Sequence, residues 1–221
     1  MTIKDILNQI YLLKQPFNLI IADGRFPKTK YLQSLLTVAT KIIACDGAVV
    51  RLIKHGIPPN YIIGDCDSIT ANIYQQFSQI IIKDSDQNSN DLTKAVNLAV
   101  KLQLDNVVIL GATGLREDHT IANIVLLVEF YQSIKHITMI SDYGIFTVHQ
   151  GVANITTIKG QQISLFAPLD GTTVNCKELK WPLTNYSFKL WNSGTLNEAT
   201  GNNLTIKSNK PIIVYRAFCI K

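Results

Sequence analysis

Tyr61-Ile62-Ile63-Gly64-Asp65-Cys66-Asp67-Ser68 is the stretch on which the fold turns. A short Ile-rich run that stops at Gly and passes into Asp-x-Asp reads as a strand delivering two carboxylates to one loop. Working outward, comparable runs occur at residues 18–22, 41–45, 79–82, 106–110 and 136–140, each short and ending at Gly, Asp or Ser. Between them the pattern predicts helices over Thr29–Ala39, Ala48–His55, Ala71–Phe77, Asp91–Leu102 and Asp118–Tyr131. In the fourth, Leu92, Ala95, Val96, Ala99 and Leu102 recur at helical spacing. Strand and helix in alternation predict an α/β domain: a Rossmann-like parallel sheet with helices on both faces. Such sheets bind ligands outside the carboxyl ends of their strands.

After Asp142 the texture changes. Runs rich in Thr, Ile and Val recur at residues 146–149, 154–157, 162–166, 172–176, 204–207 and 212–216. Turn residues separate them, among them Gly151, Gly160, Asp170-Gly171, Gly194 and Asn209-Lys210-Pro211. This predicts an all-β sandwich. The expected domains are residues 1–142 and 143–221.

The aspartates fall at the predicted strand ends. Asp46 follows residues 41–45, and Asp65 and Asp67 follow 61–64. Asp86 and Asp91 bracket the next loop, Asp86-Gln87-Asn88-Ser89-Asn90-Asp91, and the strand after it leads to Gly114-Leu115-Arg116-Glu117-Asp118-His119. Four successive strands thus bring polar loops to one edge of the sheet. A single Asp there is commonly a cap or turn residue; Asp91 can cap its helix, Asp84 is read as solvated and His119 as a packing or capping residue. Several carboxylates together repel and call for a cation. Mg²⁺ fits, because it is a hard, oxygen-seeking ion that shares its shell with substrate phosphates. The neighbouring glycines, Gly47 and Gly64, let phosphate oxygens approach the backbone, and Arg116 offers a forked cation for phosphate charge.

Composition narrows the alternatives. The chain has 221 residues, 47% hydrophobic and 17% charged, with a net charge of +5 and a pI near 9.0. Its lysines are scattered rather than grouped into a basic stripe, which argues against nucleic acid as the partner. Six of the 16 acidic residues lie between Asp46 and Asp91, and all six are Asp. Cys45, Cys66, Cys176 and Cys219 show no zinc-ligand spacing and read as reduced, mostly buried thiols of a cytoplasmic protein. Residues 6–13 form a polar-interrupted apolar pattern unlike a signal peptide. No apolar run approaches the ~18 residues of a membrane span.

At these residues the sequence resembles the thiamine pyrophosphokinase family. Ala44-Cys45-Asp46-Gly47-Ala48, Gly64-Asp65-Cys66-Asp67-Ser68, Asp86-Gln87-Asn88-Ser89-Asn90-Asp91 and Gly114-Leu115-Arg116-Glu117-Asp118-His119 are similar to its four signature segments, in its order. Leu179-Lys180-Trp181-Pro182-Leu183 and Asn197-Glu198-Ala199 resemble segments of its second domain. The sequence departs from the pattern at Asp23-Gly24, where the family commonly has Asn-Gly, and at Asn90, Leu115 and Leu196, where it usually has Thr, Gly and Ser.

The resemblance implies transfer of the terminal two phosphates of ATP, as a unit, to the hydroxyethyl group of thiamine. It implies Mg²⁺ held by Asp65, Asp67 and Asp91, and catalytic parts for Asp67, Asp91, Arg116 and Asp118. Nucleotide or thiamine contacts would come from Asp46, Gly47, Gly64, Ser68, Asp86, Asn88, Thr195 and Asn197. It also implies a homodimer with sites shared between subunits. Trp181 and Trp191 are candidates to face the flat, cationic thiamine. Two other functions share the aspartates: a diphosphokinase for another heterocyclic alcohol such as a pterin, and a nucleotide-binding sensor without catalysis.

Overall fold

The computed structural model describes residues 14–220, with side chains through Phe218. The pattern read at residues 6–13 and the Cys219 side chain lie outside the described residues. The chain divides into two compact units, Gln15–Asp142 and a second from Tyr143 onward.

The first unit alternates as the sequence predicts. Its strands are β1 (Asn18–Ile21), β2 (Ile42–Cys45), β3 (Tyr61–Gly64), β4 (Ile81–Lys83), β5 (Asn106–Leu110) and β6 (His136–Ile140). Its helices are α1 (Lys30–Val38), α2 (Ala48–Lys54), α3 (Ala71–Phe77), α4 (Asp91–Lys101) and α5 (Glu117–Ser133). The strands pair in the order β6-β5-β1-β2-β3-β4, every pair parallel. All four residues of β2 are buried, as are the last three of β1. Parallel strands covered on both faces need such unbroken apolar runs. β4 closes one edge and has no buried residue.

The helices start where side chains can take up their free N–H groups. Thr29 accepts from Leu32 N–H at the start of α1. Asn90 Oδ1 accepts from Thr93 N–H at 2.9 Å at the start of α4. The segment before α1 is pinned by Asp142, whose carboxylate accepts the Lys28 and Thr29 N–H groups at 3.0 and 3.1 Å. No helix among the described residues is long and apolar enough to cross a membrane.

The second unit contains β7 (Gly144–Thr156), β8 (Gln161–Phe166), β9 (Thr173–Cys176), β10 (Leu183–Ser187), β11 (Gly194–Glu198) and β12 (Asn203–Ile220). Its strands pair antiparallel. β12 runs along β7, meets β9 at Lys207-Ser208, and pairs with β8 from Ile213 onward. One long strand therefore serves both layers. Ile155, Leu165, Val174, Leu204, Ile206, Ile212 and Val214 pack between them.

Two pairs of expected strands are joined in the structure. Residues 146–149 and 154–157 belong almost entirely to β7, and residues 204–207 and 212–216 belong to β12. Gly151 and Asn209-Lys210-Pro211, expected as turns, instead sit at one irregularity of the ladder. Ser208 pairs with Gly151, and the register shifts before Ile212 pairs with His149. A bulge tolerates the proline, which has no N–H to donate. β10 and β11 were not expected as strands, and Gly194, expected in a turn, begins β11.

Ile109 lies in β5 between β1 and β6 and is fully buried. Ile109→Ala is expected to cost about 2–5 kcal/mol of stability, read from the urea midpoint. A loss below ~1 kcal/mol would mean the site collapses without leaving a cavity.

Candidate active site

From β1 the chain proceeds to β2 on one side, whereas β5 lies on the other. The loops leaving β1 and β5 thus diverge at the carboxyl edge and open a crevice, the usual ligand site of such a sheet. Its floor is a backbone clamp. Ala22 N–H donates to Leu110 O at 2.9 Å, Gly24 N–H to Gly111 O at 2.6 Å and Arg25 N–H to Thr113 O at 2.8 Å. A Cβ on Gly24 would lie 2.3 Å from Gly111 O, so the clamp closes only on glycine. Above it opens a cleft of about 490 Å³ in the first unit.

Asp65 and Asp91 line this cleft, as does Asp23. Asp46 is 3% exposed. Its Oδ2 accepts Ser68 N–H at 3.3 Å, while Oδ1 is buried without a hydrogen-bond partner among the described residues. Burial first, and then the charges of Asp91 and Asp65, raise the Asp46 carboxyl above its ordinary range, against the pull of Ser68 N–H. Asp65 is lowered, chiefly by Asp67 N–H, which donates to its Oδ1 at 3.1 Å. Asp91 is raised by burial, with Lys94 opposing. Asp23 is paired with Arg51 at 3.0 Å, and Arg51 also donates to Gly24 O.

The glycines serve close approach. A Cβ on Gly64 would meet Asp46 Cβ at 2.7 Å, and one on Gly47 would meet Asp23 Oδ2 at 2.5 Å. Ser68 and Asp67 are exposed, and each contributes a backbone N–H to a neighbouring carboxylate. Neither lines the cleft, nor do Asp86 and Asn88. The Asp86 carboxylate is knit into its own loop, accepting from Asn88 N–H (3.0 Å), Asn88 Nδ2 (2.9 Å) and Ser89 Oγ (2.7 Å).

The opposite wall is cationic. Arg116 lines the cleft at the start of α5 and is held as a fork by Asp118, with Nε and Nη2 donating at 3.1 and 2.6 Å. The Arg116 hydrogen bonds foremost, with His119 N–H, hold the Asp118 carboxyl down at about 2. Among the described residues, no three carboxylate, imidazole or thiol groups converge as a metal cage. Two carboxylates with room for phosphate oxygens nevertheless match the way Mg²⁺ is usually held.

Comparison with known proteins agrees with this geometry. "Thiamin pyrophosphokinase, catalytic domain" matches residues 32–139, and "Thiamin pyrophosphokinase, substrate-binding domain" matches residues 144–215. The chain belongs to the thiamine pyrophosphokinase family. Thiamin pyrophosphokinase 1 of Caenorhabditis elegans is 24% identical over 200 residues, covering 82% of this chain and 80% of the relative. Two solved structures share the fold. Thiamin pyrophosphokinase from Candida albicans has a TM-score of 0.80 at 19% identity, covering 96% of this chain and 92% of that one. Thiamine pyrophosphokinase from Bacillus subtilis has a TM-score of 0.73 at 24% identity, covering 92% and 100%. As a pyrophosphokinase, the protein is an ATP-dependent diphosphotransferase.

The family's second-domain positions are shaped by the backbone. Asn197 is buried and fully engaged. Its Oδ1 accepts Trp181 N–H and Glu198 N–H at 3.2 and 2.9 Å, and its Nδ2 donates to Trp181 O at 2.8 Å. It thereby fixes the backbone of Trp181, a residue that is 57% exposed, with Lys180 Nζ 5.2 Å from its ring centroid. Trp191 packs against Phe166. Thr195 is half-buried beside Leu196. Leu196 is 77% exposed at φ +61°, a left-handed conformation unusual for leucine.

Three parts of the site were not singled out from the sequence: the Asp23–Arg51 pair, the Asn90–Asn123 hydrogen bond at 3.0 Å, and Lys94, which is 3% exposed. Lys94 had a signal, since it interrupts the apolar face of α4 three residues after Asp91. Asp23–Arg51 spans two separate elements and had none.

Gly64→Ala forces its new methyl against Asp46. It is expected to lower stability by about 1–3 kcal/mol; an unchanged urea midpoint would show that the loop yields freely.

Proposed function

We propose that the cleft holds a magnesium complex of ATP and that the acceptor is the hydroxyethyl group of thiamine, so that the products are thiamine diphosphate and AMP. One observation carries the reading. Asp65 and Asp91 line the cleft together with Lys94, Arg116 and the first turns of α4 and α5. Helix N-termini and fixed cations suit phosphate, and the carboxylates suit the metal that travels with it.

Mg²⁺, when bound, would neutralise charge on the transferring group. Asp65 and Asp91 would hold it, with Asp67, next along the same loop, as the further ligand. Arg116 would turn its fork from Asp118 to the phosphates, leaving Asp118 free beside the acceptor. Asp46, Gly47, Gly64 and Ser68 would shape the loops that bring the nucleotide to the metal, with Asp86 and Asn88 setting the conformation of theirs. Phosphoryl transfer depends on such positioning and charge neutralisation rather than on a covalent intermediate.

Thiamine would be received by the β unit around Thr195, Asn197 and Trp181. A homodimer would bring this surface of one chain to the cleft of another. Trp181 and Leu196 are large apolar side chains left exposed there, as expected of a surface with a partner. The working compartment would be the cytoplasm.

Incubation with ATP, Mg²⁺ and thiamine tests the reaction. AMP together with thiamine diphosphate is the expected product pair; ADP, or turnover with a pterin alcohol instead of thiamine, would replace this reading. Asp65→Asn is expected to lower kcat by about 10²–10³-fold, whereas Asp86→Asn, which loosens only its own loop, should cost less than about tenfold. Equal losses in the two variants would place the metal elsewhere. A fully active monomer would remove the shared site.

A further inference from the structure

Lys94 is a lysine where lysine is rarely found. Its side chain is 3% exposed, and lysines are almost never so buried unless paired. Its Nζ lies 3.5 Å from Asp91 Oδ1 and donates to Asp84 O at 3.0 Å. It therefore joins the first turn of α4 to the start of the loop that follows β4. It lines the cleft together with Asp65 and Asp91. Asp91 and Lys94 are three residues apart on α4 and so lie on one face.

A methionine or leucine could fill the same space. Two observations point beyond filling. The ammonium contacts both ends of the 84–91 segment, so it fixes where Asp91 enters the cleft. Among the described residues that line the cleft, Lys94 and Arg116 are the lysine and arginine; Arg116 is engaged with Asp118, and Lys94 is the one beside Asp91.

We infer that Lys94 is a positioning residue for diphosphate transfer: an internal cation that holds Asp91 and the 84–91 loop in their working places and balances the carboxylates before a metal arrives. This rests on the reading of the cleft as a Mg²⁺–nucleotide site. The ammonium is buried whereas the Asp91 side chain is 41% exposed, so removing the ammonium leaves a carboxylate that solvent screens in part and that a metal can reach, together with an Asp84 carbonyl that has lost its donor. Without the ammonium, a divalent cation becomes the counter-charge that the folded loop requires. Metal and lysine thus act on the same carboxylates, the lysine permanently and the metal with substrate.

The test uses the full chain with Lys94→Met, which keeps most of the length of the side chain and removes the charge, and Lys94→Arg, which keeps the charge. The thermal midpoint is read without divalent metal and with MgCl₂ alone, and kcat and KM are measured separately. Lys94→Met should lower the metal-free midpoint by roughly 2–5 °C, and MgCl₂ should restore more of it than it adds to the wild type. Its kcat should fall about tenfold or more while the KM for thiamine moves less than about threefold. Lys94→Arg should recover part of both. Equal midpoint losses with and without MgCl₂, or an unchanged kcat, would overturn the inference and leave Lys94 as packing. If Lys94→Met does not fold, Lys94→Arg decides. Its midpoint should respond to MgCl₂ as the wild type does, and a response that differs overturns the inference. The midpoint arm stands apart from activity. A wild type that makes no thiamine diphosphate defeats the proposed function, whereas a metal response unaltered in Lys94→Met defeats the role of Lys94.

Discussion

Carboxylates crowded at one edge of a sheet repel one another, and the first unit is arranged around that repulsion. Asp46 is set deep, where burial favours its protonated form. Asp65 is steadied by a backbone N–H, Asp91 by the Lys94 ammonium and Asp23 by Arg51. Each acid thus has its own remedy, and the remedies differ in kind. These backbone donors and cations belong to the chain itself, so the carboxylates are held in place without any bound group.

The same economy governs the glycines. Gly24 and Gly64 occupy points where two strand ends approach too closely for a methyl group. One lets the β1 and β5 loops clamp before they diverge; the other lets Asp46 lie against β3. The positions of the acids follow from these backbone contacts, because an Asp on a strand-end loop points wherever the loop is held. Stability and site geometry are therefore one property in this unit.

Much of this was legible in the sequence, and the exceptions are instructive. The parallel sheet was readable because each strand is a short apolar run closed by Gly, Asp or Ser, and because Asp91–Leu102 carries a clear 3.6-residue pattern between two of them. The aspartates were readable because several fall at equivalent places. Their long-range partners were not. Arg51 reaches Asp23 across 28 residues, a distance at which a sequence offers no pairing rule. Asp86 was expected as a nucleotide or thiamine contact, yet its carboxylate closes on Asn88 and Ser89, a local competition that spacing does not reveal. In the β unit, Gly151 and Pro211 carried the ordinary signals of turns and turned out to mark a bulge within two long strands. Turn residues announce a break in regular pairing, and only the partner strand decides whether the chain reverses or continues.

The sharing of β12 has a consequence for how the second unit comes into being. β12 is the last of the unit's strands in chain order, and it pairs with β7, β8 and β9 alike. As the chain emerges during synthesis, those three strands wait with open edges for a partner more than 25 residues downstream of any of them. The α/β unit can complete its sheet from strands already made, whereas the β unit closes in a single late step. That interval exposes unpaired edges, the condition under which strands pair with the wrong neighbour. Damage to β12 should therefore reduce the yield of folded protein during expression before it alters the finished molecule.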